Sequence, residues 1–321
     1  MKKLLLTLTV AMALTASATE HWKMATPYAT GGLHDRTNHY FAKQLQTATD
    51  GKYEITIYPA GELVTAKQML QTVHYGDKAQ LGEVLGSMFA QKYPVWAMDS
   101  LPFLADSYEK AERLWKVSRE TVARDLEKEG LILLYAVPWP GQNFYTKAQL
   151  NDVSVLSGKK MFTYNKLLAK LAKFIEAEPV KYNVNVLGQA FEQGKVDFAL
   201  VSSSTGVKVK LWEHTKYYTK INAYFPKALT FISKNVWDEL DKETQDKILV
   251  AAQQAEAHGW ALSKTEHFGQ EAVLIENGMH SEAPNVTVRQ AFFKIGQKLT
   301  KEWYKHTNKA AKKVMKAYRG Y

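Results

Sequence analysis

The stretch LILLYAVPWPG, Leu131 to Gly141, decides how this chain is organised. Its first seven residues are continuously apolar, which suits a strand covered on both faces. Pro138 and Pro140 then bracket Trp139. Neither proline carries an N–H for a ladder, so the strand ends here and the chain leaves its layer. This is the expected exit from a first lobe, and what lies on either side must supply two lobes.

On the N-terminal side, HWKMATPY reads as a strand running into a polar loop. A helix follows over LHDRTNHYFAKQLQTATDGK, with Leu33, Tyr40, Phe41 and Leu45 inward and Gly51 ending it. YEITIYP alternates, placing Tyr53, Ile55 and Ile57 on one face, and Pro59 stops it. A helix near 66–75, the strand AQLGEVLG and an amphipathic helix with Leu114, Val117, Val122 and Leu126 complete the pattern. This rhythm predicts a mainly parallel sheet with helices on both faces. On the C-terminal side KKMFT, PVKYNV and VDFALV read as short strands, and Leu167, Leu168, Leu171, Phe174 and Ile175 follow helical spacing. KALTFIS reads as a strand returning to the first lobe, after which Asp241 caps a long helix. A last helix from about 287 turns Phe292, Leu299 and Trp303 inward. The expected division is a leader at 1–18, one lobe at 19–140 plus about 229–268, and another at 141–228 plus about 269–321, which includes the C-terminal helix.

A chain of 321 residues is long enough for two such lobes. Lys2 and Lys3 precede an apolar run from Leu4 to Leu14, and Ala16-Ser17-Ala18 offers the small residues a signal peptidase reads. That run is too short for an ordinary membrane anchor, so it predicts an export signal cut after Ala18 and a periplasmic protein. The chain has no cysteine, which excludes lipid anchoring through a leader cysteine and any disulfide framework. Its formal charge of +10 falls to +8 once Lys2 and Lys3 leave with the signal. Much of the excess lies near the C-terminus, in Lys301, Lys305, Lys309, Lys312, Lys313, Lys316 and Arg319, and reads as a solvated helix face. An exported address argues against nucleic acid as a partner.

Signatures of catalysis are missing. His34 and His39, or His258 and His267, do not repeat a helical face closely, and no HExxH or Cys/His cluster occurs. These histidines read as surface or satisfied residues. SGKKMFT, Ser157 to Thr163, is no phosphate loop, because its glycine precedes a strand rather than a helix. Ser202, Ser203 and Ser204 lack a GxSxG elbow. No metal or cofactor is expected, and no enzyme; an exported α/β hydrolase is the less favoured rival class.

DGKYEITIYPAGEL (50–63), SLPFLADSYEKA (100–111), LSGKKMF (156–162), QGKVDFALV (193–201) and KNVWDELDKETQDKI (234–248) occur in that order. Together they resemble the substrate-binding subunits of TRAP transporters, the tripartite ATP-independent periplasmic carriers. The resemblance implies an α/β, two-lobe periplasmic-binding-protein fold, type II-like. Its discontinuous lobes would be joined by hinge strands and a long spanning helix. It implies a receptor that closes over a small-molecule solute and delivers it to TRAP membrane subunits; a receptor for an ATP-driven importer is the alternative partner class. Members typically bind organic acids through an arginine at the end of a GxKxR strand, paired bidentately with the carboxylate.

Here that position holds Phe162. A second common arginine corresponds to Asn143, a common acidic residue to Val186, and a common asparagine is kept as Asn165. Without the clamp, an amine, neutral or aromatic solute is the favoured expectation, since burying an unpaired carboxylate is costly. Glu83 with Trp139, Phe162, Tyr28 and Tyr224 would hold an amine. A neutral ring would stack between Trp139 and Phe162, with Asn143, Asn165 and Ser202 at its polar edge. The alternative keeps the acid and uses another cation, from Lys147, Lys159, Lys160 or Arg36.

Overall fold

The computed structural model describes residues 18–320, so the expected export signal lies almost entirely outside the described residues. The first lobe is built from β1 (Glu20–Ala25), α1 (Leu33–Ala48), β2 (Tyr53–Tyr58), α2 (Met69–Tyr75), β3 (Leu81–Leu85), α3 (Tyr108–Lys128) and β4 (Leu131–Pro138). The chain leaves at 139–141, as the two prolines require. The second lobe then adds β5 (Gln142–Thr146), β6 (Lys160–Thr163), α4 (Lys166–Phe174), β7 (Glu178–Lys181), α5 (Leu187–Glu192), β8 (Ala199–Ser202), α6 (Ser203–Lys208) and β9 (Tyr217–Thr219). Residues 220–226 cross back into β10 (Lys227–Ser233) and α7 (Lys234–Asp238). After α8 (Lys242–Glu276) come β11 (His280–Glu282), α9 (Val286–His306) and α10 (Lys309–Arg319).

The first sheet runs β2-β1-β3-β10-β4, and the second β11-β9-β5-β8, with β6-β7 joined to it through a Met161–Phe198 bridge. Neither sheet is mainly parallel, contrary to the expectation from sequence. β10 is antiparallel to both β3 and β4, and β5 to both β8 and β9. The reason is topological: β5 and β10 are the strands that follow each crossing, and each enters its sheet from the hinge side. β1 remains parallel to β2 and β3, as a βαβ crossover dictates.

Each face of the first sheet carries its own core. Val73, Leu114, Trp115, Leu126 and Leu229 pack on one side; Met24, Phe41, Leu45, Ile248 and Ala252 pack on the other. In the second lobe Met161 and Phe162 point into different clusters, one with Leu168 and Phe292, the other with Leu187 and Phe191. The expected C-terminal helix is two. Asn308 caps α10, and Ala311, Val314, Met315 and Tyr318 bury into the first lobe's core, so α10 belongs with α3 rather than the second lobe.

Asp241 accepts from Thr244 N and starts α8, whose 35 residues span about 50 Å at 1.5 Å per residue. Toward the first lobe, Glu256 accepts from Ala136 N at 2.8 Å and Trp260 donates to Ala136 O at 3.0 Å. Toward the second, Glu271 pairs with Lys220 at 2.8 Å. The helix therefore binds both lobes and sets the approach between them. Gly259 lets it pass close, because a Cβ there would stand 2.5 Å from Val137 Cγ2 and 3.0 Å from Thr37 Cγ2. Gly259→Ala would gain about 1 kcal/mol of helix propensity but overpack two elements, at about 1–3 kcal/mol. The expected outcome is a lower urea midpoint; an unchanged or raised midpoint would show that α8 lifts freely from the sheet.

Candidate ligand-binding site

The inward stripe of α1 is not wholly apolar. Leu33, Phe41 and Leu45 share it with His34, Thr37 and Asn38, all buried. Two of these polar groups converge on Glu83, which rises from the middle of β3 and is 1% exposed. Its Oε2 accepts from Thr26 Oγ1 at 2.7 Å and from Asn38 Nδ2 at 2.9 Å. Its Oε1 lies 3.2 Å from His34 Nδ1. Asn38 is held in turn by Tyr135, whose hydroxyl donates to Asn38 Oδ1 at 2.7 Å. Such donors are what a buried carboxylate requires.

Aromatic rings close over this cluster. Tyr28 stacks on the His34 imidazole with centroids 4.5 Å apart, and Trp139 stands 4.5 Å from His34 and edge-on to Tyr28 at 5.2 Å. The Tyr28 hydroxyl is held well above its ordinary pKa, first by burial and then by the Glu83 charge, while the Trp139 indole partly offsets both. Tyr164 and Tyr224 bring a facing pair, their hydroxyls 2.8 Å apart, and burial raises both pKa values as well. These phenols stay protonated at neutral pH and remain hydrogen-bond donors. The Tyr28 hydroxyl and both ring nitrogens of His34 are buried without a hydrogen-bond partner among the described residues. A groove of about 560 Å³ lies between Ala29 of the first lobe and Asn185, Gln189, Lys208 and His214 of the second, and none of these rings lines it.

Tyr28, Glu83 and Trp139 are thus brought together, while Tyr224 is buried in the second lobe's core and paired with Tyr164. The other sequence-derived candidates hold the scaffold. Asn143 donates to Gly141 O and to Tyr218 OH, and accepts from Asn222 N at 2.8 Å, which pins one crossing to the other. Gly141 must be glycine for the same reason: a Cβ would fall 2.4 Å from Asn222 Oδ1. Asn165 caps α4 and Ser202 caps α6 through Thr205 N. Phe162 is fully buried among Tyr145, Leu187, Ala190 and Phe191.

The alternative cations are occupied or remote. Arg36 pairs with Glu266 of α8, and that carboxylate also accepts from Ser204 of α6, a link from the first lobe to the second. Lys147 and Lys159 are exposed, and Lys160 donates to Gly194 O. His34 is the residue that sequence reading missed. The available signal was its place, with Asn38 and Phe41, on one stripe of α1: a polar interruption of a buried face needs a partner.

Residues 29–307 match the family model for bacterial extracellular solute-binding protein, family 7. The fold is similar to that of DctP7 and DctP6, Bordetella pertussis extracytoplasmic solute receptors binding pyroglutamic acid. They are 29% and 31% identical, with a TM-score of 0.89 for each and coverage of 94% of this chain and 100% of theirs. A marine metagenome TRAP solute-binding protein specific for pyroglutamate is 31% identical with a TM-score of 0.87, over 94% of this chain and 99% of its own.

Proposed function

The chain belongs to the family-7 bacterial extracellular solute-binding proteins, receptors of TRAP transporters, and from that premise we propose that it captures a small cyclic organic acid of the pyroglutamate kind. The observation that carries this reading is the shared ligand of three relatives at 29–31% identity. The site's chemistry is compatible with it. Tyr28 and Trp139, the two rings against His34, offer flat faces to a flat lactam, and protonated tyrosines offer donors to its oxygens. The amine favoured from sequence loses support, because Glu83 Oε2 already takes two donors of the protein and Oε1 lies 3.2 Å from the buried His34 ring. A ligand cation would have to displace them.

In this reading the protein is exported, its leader cut after Ala18, and it catalyses nothing. Ligand contacts to Tyr28 and Trp139 on one side and Tyr164 and Tyr224 on the other bias a hinge equilibrium toward closure. The closed form then hands the solute to the membrane subunits of a TRAP carrier. Thermal unfolding of the mature protein tests the ligand class. L-pyroglutamate at a hundred times its Kd adds about 2.7 kcal/mol, a rise of several degrees in Tm. Small amines giving that rise, with pyroglutamate giving none, would replace the acid reading with the amine one.

A further inference from the structure

We propose that α9 carries a docking surface for anionic phospholipid headgroups, built from Lys294, Lys298, Lys301 and Lys305. The four recur at intervals of four, three and four residues, so they fall in one line along the helix, about 16 Å from first to last. All four are exposed, and none has an ion-pair partner among the described residues. The far face of α9 is committed, since Val288, Phe292 and Leu299 pack into the second lobe's core. Glu302, the one acid between positions 286 and 319, is taken by Lys170 of α4. Lys309, Lys313 and Lys316 repeat the spacing on the exposed face of α10. These two helices hold ten basic residues against that one acid, while the rest of the chain after Ala18 holds thirty against thirty-one. The positive charge of the mature protein is therefore a local feature of this surface.

A line of lysines suits a diffuse anionic surface better than a folded protein partner. Lysine is a strongly hydrated point charge on a flexible stem, and it is depleted from protein interfaces, where arginine and aromatic rings are enriched. Headgroup phosphates demand no fixed geometry, and each lysine brought near them multiplies the lipid partition about fivefold. Beside the line, Val286 and Phe293 stand seven residues apart on α9, 70% and 49% exposed. They lie roughly a quarter-turn round from the lysines, and an apolar edge next to a basic one is the pattern of a helix resting at a membrane interface. Because the far face of α9 is held by the protein, the contact is peripheral and reversible. A receptor held this way searches for its carrier along the membrane surface.

Co-sedimentation of the purified mature protein with vesicles tests the surface, using phosphatidylglycerol and phosphatidylcholine in equal parts against phosphatidylcholine alone. At about 0.1 M salt the mixed vesicles should bind the protein at least tenfold more strongly than the neutral ones, and about 1 M salt should release it. Lys294→Glu, Lys298→Glu, Lys301→Glu and Lys305→Glu together should lower that partition at least fiftyfold. Lys43→Glu, Lys67→Glu, Lys116→Glu and Lys195→Glu, all at exposed positions on other parts of the molecule, change the net charge equally and should lower it less than fivefold. An α9 variant that loses no more than this control overturns the proposal, as does binding that ignores vesicle charge. Capture of poly-L-glutamate by a wild type that ignores the vesicles would assign the line to an acidic protein, and overturns it too. Urea midpoints confirm that both variants fold. Should the α9 variant unfold, glutamine at the same four positions replaces it, with an expected loss of at least tenfold and the same control deciding. Each outcome leaves the organic-acid reading untouched.

Discussion

Replacing Lys227 by methionine is expected to lower the unfolding free energy by about 3–5 kcal/mol, although the residue touches no ligand. Lys227 opens β10 directly after the return crossing, and it is 3% exposed. Its Nζ sits 3.0 Å from Asp99 Oδ2 and 5.7 Å over the Trp115 ring. Asp99 also accepts from Lys227 N and Ser100 Oγ, each at 3.0 Å. Removing the ammonium leaves a charged carboxylate with those two donors alone. Solvent offers little rescue, since the adjoining cavity of about 10 Å³ is at the limit for a single water. The melting temperature should drop by roughly 6–15 °C. Adding Asp99→Asn should recover at least half of the loss, because the neutral amide no longer needs a counter-charge. Equal stability of single and double variants would show that the pair is not what holds this corner.

That pair illustrates what the sequence conceals. The architecture was legible because its signals are local: two prolines around Trp139 end β4, Asp241 starts α8, and the apolar run KALTFIS marks the returning strand. Strand direction was not legible. A run such as QNFYT in β5 carries no mark of whether its neighbours run with or against it; the crossing decides that. The fate of α10 was equally hidden, since its apolar stripe fits any exposed core, and only the tertiary path carries Tyr318 to Leu104 O at 3.0 Å.

The site divided along the same line. Aromatic residues at the hinge were identifiable, because Tyr28, Trp139 and Tyr224 flank the crossings or the first loop. Small polar residues were not. Asn143, Asn165 and Ser202 have the chemistry of ligand contacts, but crossings and helix starts also need hydrogen bonds, and those needs consumed them. His34 failed in the opposite direction. Its metal-site spacing is poor, so it read as a bland residue, whereas its meaning comes from Glu83, 49 positions away in sequence and 3.2 Å away in space.

Glu83 should give the second large effect, and its two substitutions should separate loss of the charge from loss of the acceptors. Glu83→Leu strands the Thr26 hydroxyl, the Asn38 amide and the His34 ring in a dry interior, an expected loss of about 3–5 kcal/mol. Glu83→Gln keeps the acceptor for Thr26 and Asn38 and turns an NH₂ toward His34 Nδ1, so it should cost only about 1–2 kcal/mol. Urea midpoints check both. Glu83→Leu should fall well below Glu83→Gln, because only the leucine leaves the Thr26 hydroxyl and the Asn38 amide without an acceptor. Equal losses in the two variants would show that the negative charge, and not the acceptor pair, holds this corner.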